Sequence, residues 1–381
     1  MTTATATATT TPAPGGVTAP MTAVQRLMFV AQGRPAYRLP FLYRLPDDAG
    51  PDWARDRLRG VLLSSPALLA RFGYEPATDR FTQRHAPELL GSLEVPDVGE
   101  VADPESECAD PAHQPDLRRG LPLTARFLRH GGRPLLHVEY HHLALDGIGA
   151  AVVEERLLGR VVPDPDDPAE AFAAYERVAA AERSRPVRRP PSTRPDPPPA
   201  PEPRLRRAHR EVATHQVRSR ARALRVFPRV LLQAAVEDWL ASRWPGTGYA
   251  SVSTWRWTLG LEGAVGNLPA LLAHEPPPAA GHAALARALM ATGADPTIGP
   301  DRVLADHADV VVSYEDFGFA RGRYVPVDTH PRFGLYVRIV ARRDLVELHT
   351  ETDRRLVGDD DADSLLDHLV EATTTPLEED R

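Results

Sequence analysis

Apolar residues recur along this chain at two periods, and the changes of period mark its elements. Helical spacing runs through residues 218–244, where Phe227, Val230, Leu231, Leu232, Ala235, Val236, Trp239 and Leu240 fall on one face of a pair of helical stretches. The same spacing predicts helices over residues 52–64, 148–158, 168–183 and 359–372. The last is favoured by an Asp-rich first turn, with Leu365, Leu366, Leu369 and Val370 sharing a face. Strand-like runs cover residues 133–140, behind a Gly131-Gly132 turn, and residues 211–217, 249–259 and 309–317, with residues 334–340 and 344–351 as a hairpin pair.

Proline divides the pattern. Residues 186–203 hold so many prolines that neither a helix nor a central strand can form, so an extended, exposed spacer is expected there. The predicted organisation is a disordered tail over residues 1–20, an N-terminal lobe over 21–185, the spacer over 186–203 and a C-terminal lobe over 204–381. With 381 residues, 42% of them hydrophobic, the chain can bury a sizeable core. No apolar run approaches a membrane span, and the Thr/Ala/Pro start lacks the marks of a secretory signal, so a cytoplasmic protein with no membrane association is expected.

What is missing narrows the chemistry. All 45 residues counted as Lys+Arg are arginine. A pyridoxal Schiff base, a lysine imine, a phosphate-loop lysine and a kinase lysine are therefore excluded. The single cysteine, Cys108, rules out an internal disulfide and a cysteine-based zinc site, and its acidic neighbours disfavour a thiolate. No His-Glu-x-x-His helix or calcium loop is present, and His307, His349 and His368 each stand alone, so no metal is expected. A net charge of -7 speaks against a nucleic-acid partner.

One cluster carries chemistry. His141-His142-Leu143-Ala144-Leu145-Asp146-Gly147 follows the predicted strand of residues 133–140 and precedes the helix of residues 148–158. Such a corner holds a side chain on short, rigid backbone. Imidazole titrates near neutrality, so it can take a proton from an amine or hydroxyl and return it to a leaving thiol. Asp146 is placed to cap the helix, and Gly147 suits the tight turn. Taken alone, the pair would more often be satisfied histidines in a β-to-α corner.

The cluster resembles the signature of the condensation-domain superfamily, which includes nonribosomal-peptide condensation domains and chloramphenicol acetyltransferase. Other segments are similar in order: residues 21–29 resemble the opening helix, 35–45 the first strand, and 66–72 the segment ending in Arg-Phe. Residues 116–127 resemble the segment before the motif strand, and 309–317 a later strand. The resemblance implies an α/β fold of two chloramphenicol-acetyltransferase-like sandwich lobes in a V-shaped pseudo-dimer. It implies that His142 faces the acyl-transfer channel, either as base or as a group that positions the nucleophile and stabilises the tetrahedral intermediate. His141 supports it, Gly147 leaves space for substrate, and Asp146 is structural and paired with an arginine, for which Arg71 and Arg126 are the candidates. Gly263, Gly266 and Asn267 match the superfamily's Gly-x-x-x-Asn loop near the channel, or form an ordinary turn.

The implied activity is that of a free-standing condensation enzyme. It forms an amide or ester from an acyl group on an acyl or peptidyl carrier protein, or on CoA, and a small-molecule amine or alcohol. No covalently bound cofactor is expected; the donor's phosphopantetheine belongs to the partner. Two alternatives remain: a wax-ester- or phthiocerol-type O-acyltransferase, and a non-catalytic docking module that recruits a tailoring enzyme to a carrier-bound intermediate.

Overall fold

The computed structural model describes residues 16–31, 37–117, 120–159, 164–187, 190–192, 205–276, 281–291, 309–316, 322–326 and 331–375. The first half runs β1 (Thr18–Pro20), α1 (Ala23–Val30), β2 (Arg38–Arg44), α2 (Pro51–Leu63), β3 (Ala70–Glu75), β4 (Arg80–His85), β5 (Asp97–Glu100), α3 (Pro104–Ala109), β6 (Leu123–His130), β7 (Arg133–His141), α4 (Gly147–Leu158) and α5 (Pro168–Ser184). The second runs β8 (Leu205–Ala213), α6 (Thr214–Leu224), α7 (Pro228–Arg243), β9 (Tyr249–Thr254), α8 (Arg256–Leu259), β10 (Pro269–His274), α9 (His282–Ala291), β11 (Val310–Glu315), β12 (Gly322–Tyr324), β13 (Leu335–Ala341), β14 (Leu345–Asp353) and α10 (Asp359–Thr374).

β7 shows how the alternation of side chains builds the first sheet, whose order is β12-β2-β7-β6-β5. Leu136, Val138 and Tyr140 point to one face and enter a core with Phe41, Leu58, Phe127 and Val153, which α2 and α4 cover. His137, Glu139 and His141 point to the other face and are also buried, so their polar atoms need partners. Glu139 takes two 2.6 Å bonds from the Arg38 guanidinium, which also donates to the carbonyls of Cys108 and Asp110 beside α3. The second sheet, β10-β9-β11-β13-β14-β8, packs Val310, Val337 and Leu348 against Leu232, Trp239, Leu365 and Leu369 of α7 and α10.

The halves are fastened together rather than merely adjacent. Val24, Met28 and Leu143 pack on Ala250, Leu271 and Val311, while Phe172, Tyr175 and Val178 of α5 pack on Trp255, Leu268 and Leu272. β12, from the second half, completes the first sheet by pairing antiparallel with β2. Its Gly322 N–H bonds Glu154 of α4 at 2.8 Å. No helix among the described residues is long and apolar enough to cross a membrane.

Several boundaries differ from those expected. Thr18–Pro20, expected within the tail, pair with β4 and place Ala19 in the core beside Ala70, while residues 1–15 lie outside the described residues. The strand expected at residues 211–217 is β8, ending at Ala213; Thr214 starts α6, with its hydroxyl donating to the Arg342 carbonyl. The strand expected at 249–259 stops at Thr254 and becomes the helical turn α8, closed by Gly260 at φ 63°. The proline spacer is not uniformly exposed: Pro190 is buried, and the Pro191 carbonyl accepts the Gly248 N–H at 2.7 Å. Residues 188, 189 and 193–203 of that spacer lie outside the described residues, as do Arg118, Arg119 and His307.

The Arg38–Glu139 pair offers a test of this packing. Removing one partner of a buried ion pair leaves the other charge uncompensated. Glu139→Ala is expected to lower stability by about 3–5 kcal/mol, read as a fall in the urea midpoint.

Candidate active site

β7 ends at His141, and the next five residues make the tight corner that leads into α4. His142 N–H bonds the Tyr37 carbonyl at 2.8 Å, and Ala144 N–H bonds back to the His141 carbonyl at 2.9 Å, which fixes the corner. His141 is 1% exposed, and its Nδ1 accepts the Leu143 N–H at 3.1 Å, so its proton sits on Nε2. It is an internal brace.

His142 is arranged the other way. Its Nδ1 lies 2.9 Å from the Leu145 carbonyl, which can only accept, so Nδ1 carries the proton and Nε2 keeps its lone pair. The 3.4 Å approach of Asn267 Nδ2 to Nδ1 is then donor to donor; that amide instead donates to the His142 carbonyl. Nε2 has no hydrogen-bond partner among the described residues. The ring is half-buried and lines a cavity of about 160 Å³ between the two halves. Burial, then the Arg332 charge, lowers the pKa of His142 below its usual 6.5, with Asp146 opposing.

Val24, Leu27, Met28, Phe41 and Leu271 give the cavity an apolar wall, and Ser313, Glu315 and Arg338 give it a polar end. Arg338 and Glu315 meet at 2.8 Å, and the guanidinium also lies 5.0 Å from the Tyr324 ring centre. The arginine beside it holds the Glu315 carboxyl below its usual pKa despite burial.

Asp146 holds this corner to the second half. Oδ1 accepts the Gly149 N–H at 2.8 Å, capping α4. Oδ2 accepts the Leu268 N–H at 2.8 Å and Nη1 of Arg256 at 2.5 Å. Arg256 is fully buried, and its other nitrogens donate to the carbonyls of Ala264 and Gly266. The backbone adds a bond from Asp146 N–H to the Gly266 carbonyl at 3.1 Å. Gly266 sits at φ 155°, where an added Cβ would collide with the Tyr175 hydroxyl, and a Cβ on Gly149 would come within 2.8 Å of the Gly266 carbonyl. Gly149 is needed for the loop to lie against the start of α4, and Gly266 for it to lie against Tyr175 of α5.

The sequence-derived assignments divide against this geometry. His142, Asp146 and Gly147 all line the cavity. The candidate partners of Asp146 are corrected: Arg71 pairs with Glu88 at the surface at 3.3 Å, and Arg126 bonds Glu107 and His137 behind β7. The true partner, Arg256, was hidden by the expected strand, and the Gly260 stop signal could have revealed its helical turn. Gly263 is exposed, while Gly266 and Asn267 are buried behind the corner and are not among the residues lining this cavity. Cys108 is buried, and burial above all pushes its thiol up to about 12, which removes it as a nucleophile at neutral pH.

No protein-family model and no curated protein matches the sequence. Solved structures do match. The condensation domain of the Monacolin K polyketide synthase MokA superposes with a TM-score of 0.66 at 14% identity, covering 94% of this chain and 96% of that one. The starter condensation domain of rhizomide synthetase RzmA, solved with C8-CoA, gives 0.68 at 14% identity over 93% and 94% of the two chains. The X-domain from teicoplanin biosynthesis gives 0.69 at 16% identity over 96% of each. The fold is that of condensation domains, with two chloramphenicol-acetyltransferase-like lobes, as the motif led us to expect.

The Arg256 assignment can be checked by substitution. Arg256→Ala is expected to cost about 3–5 kcal/mol by stranding Asp146. Arg71→Ala should change stability by no more than about 0.5 kcal/mol, as for an exposed pair. Urea denaturation of the two variants separates them.

Proposed function

We propose that this protein is an acyltransferase that joins the acyl group of a thioester to an amine or hydroxyl, releasing the thiol. The observation that carries this reading is the orientation of His142, with Nδ1 tied to the Leu145 carbonyl and Nε2 left as a lone pair on a cavity between the lobes. In the reaction, Nε2 accepts the proton of the attacking nitrogen or oxygen as the new C–N or C–O bond forms. The C–S bond then breaks, and the same proton passes to the departing sulfur. The lowered pKa keeps the ring neutral, and so competent as a base, at pH 7.

Charge on the carbonyl oxygen needs donors. The N–H groups of Gly147 and Ile148 open α4, where no earlier turn uses them, and they have no partner among the described residues. Both residues line the cavity, so these groups and the positive end of the helix supply the oxyanion contact. The apolar wall suits an acyl chain. The donor is a carrier-bound phosphopantetheine thioester or an acyl-CoA, and the acceptor is a small amine or alcohol entering from the other lobe face.

Purified protein incubated with acyl-loaded carrier or acyl-CoA and a panel of amines and alcohols is expected to yield amide or ester, read by intact mass. His142→Ala should reduce turnover by about 10²–10⁴-fold. Turnover that survives the substitution would overturn the mechanism, and carrier binding without turnover by either protein would favour the docking reading.

The pH profile gives an independent check. A base with a lowered pKa is lost only when protonated, so kcat/KM should hold on descending from neutrality and fall in an acid limb below 6.5. An acid limb centred above that value would contradict the assignment.

A further inference from the structure

Away from the cavity, α7, α9 and α10 converge on Asp238, His282 and His368. One donor atom from each lies within 4.8 Å of the others. His368 Nε2 is 3.3 Å from Asp238 Oδ2, and the two imidazoles meet edge to face with ring centres 6.1 Å apart. The second oxygen of Asp238 accepts the Gly281 N–H at 3.0 Å, which orients the carboxylate. Both Nε2 atoms are buried without a hydrogen bond; the 3.3 Å approach is not aligned as one. The histidine that stood alone in the sequence, His368, is therefore part of a cluster assembled only by folding, as is His282.

We propose that Asp238, His282 and His368 bind a divalent transition-metal ion, with zinc the best match, as a structural clamp on three helices. Two imidazoles and one carboxylate are a borderline donor set that suits zinc, whereas calcium and magnesium require oxygen ligands. Zn–N bonds of about 2.0–2.1 Å place tetrahedral donors roughly 3.3 Å apart. Asp238 and His368 already have that separation, and the donor atom of His282 lies within 4.8 Å of both. Water fills the fourth position.

The surrounding charges act in both directions. Arg220 faces His282 and opposes a cation, while Glu371, one turn along α10 from His368, favours one. The clamp has a structural use. α9 buries Leu285 and Ala286 against α6 and α7, with Ala283, Leu289 and Met290 packed around them, and the clamp would tie its first residue, His282, to α7 and α10 as well.

The test uses the full chain without a histidine tag, stripped with chelator and dialysed, then titrated with Zn²⁺ alone. Binding of one ion per chain by elemental analysis is expected, with a rise in Tm that chelator reverses. His282→Gln and His368→Gln should each weaken binding by at least about tenfold and remove the Tm increment. Co²⁺ added to the wild-type chain should give the intense visible absorption of a tetrahedral site, which decides the question even where a variant fails to fold. Absence of that absorption, or Zn²⁺ binding unchanged in both variants, would overturn the proposal.

Discussion

Arg256 leaves a single helical turn in the second half of the chain and brings its guanidinium, fully buried, to the carboxylate that caps α4 in the first. Taking both ions out of water costs several kcal/mol each, so this arrangement persists only because every remaining lone pair and proton is matched. Here the backbone does the matching: the N–H groups of Gly149 and Leu268 on one side, the carbonyls of Ala264 and Gly266 on the other. The pair therefore fixes two loops and the start of α4 in one step, and the position of His142 between the lobes follows from it. A hydrophobic replacement could match its stability, but it would not set the same registry between two backbone segments.

The chemistry assigned to His142 depends equally on something smaller. One carbonyl, that of Leu145, decides which nitrogen holds the proton, and the adjacent His141 has the opposite arrangement because it meets an N–H instead. Two identical side chains in sequence thus have different tasks, set by backbone groups two and three residues away. Their identity as residues says nothing about this division; the corner's geometry does.

The strand-turn-helix corner, the helices α2, α5, α7 and α10, and the hairpin of β13 and β14 were legible because their hydrophobic spacing and punctuation are local. The motif was legible because its parts are contiguous. What escaped was whatever depends on distant contact. Arg256 lies where the chain switches from strand to helix, and nothing nearby states that its charge has a partner in the other half. Gly263 and Gly266 look alike as letters, yet only the second faces the Tyr175 hydroxyl, a contact made by a helix far away in the chain. Asp238, His282 and His368 are likewise unremarkable until three helices bring them together.

β12 has a consequence for how the molecule is made. The first sheet ends at β2 until residues 322–324 arrive to cover it. During synthesis, therefore, an almost finished N-terminal lobe waits with an open strand edge while most of the second lobe is still being translated. Such an edge invites pairing with a neighbouring nascent chain. Long-range closure of this kind also slows folding, because the entropy of joining remote segments must be overcome before their contacts can form.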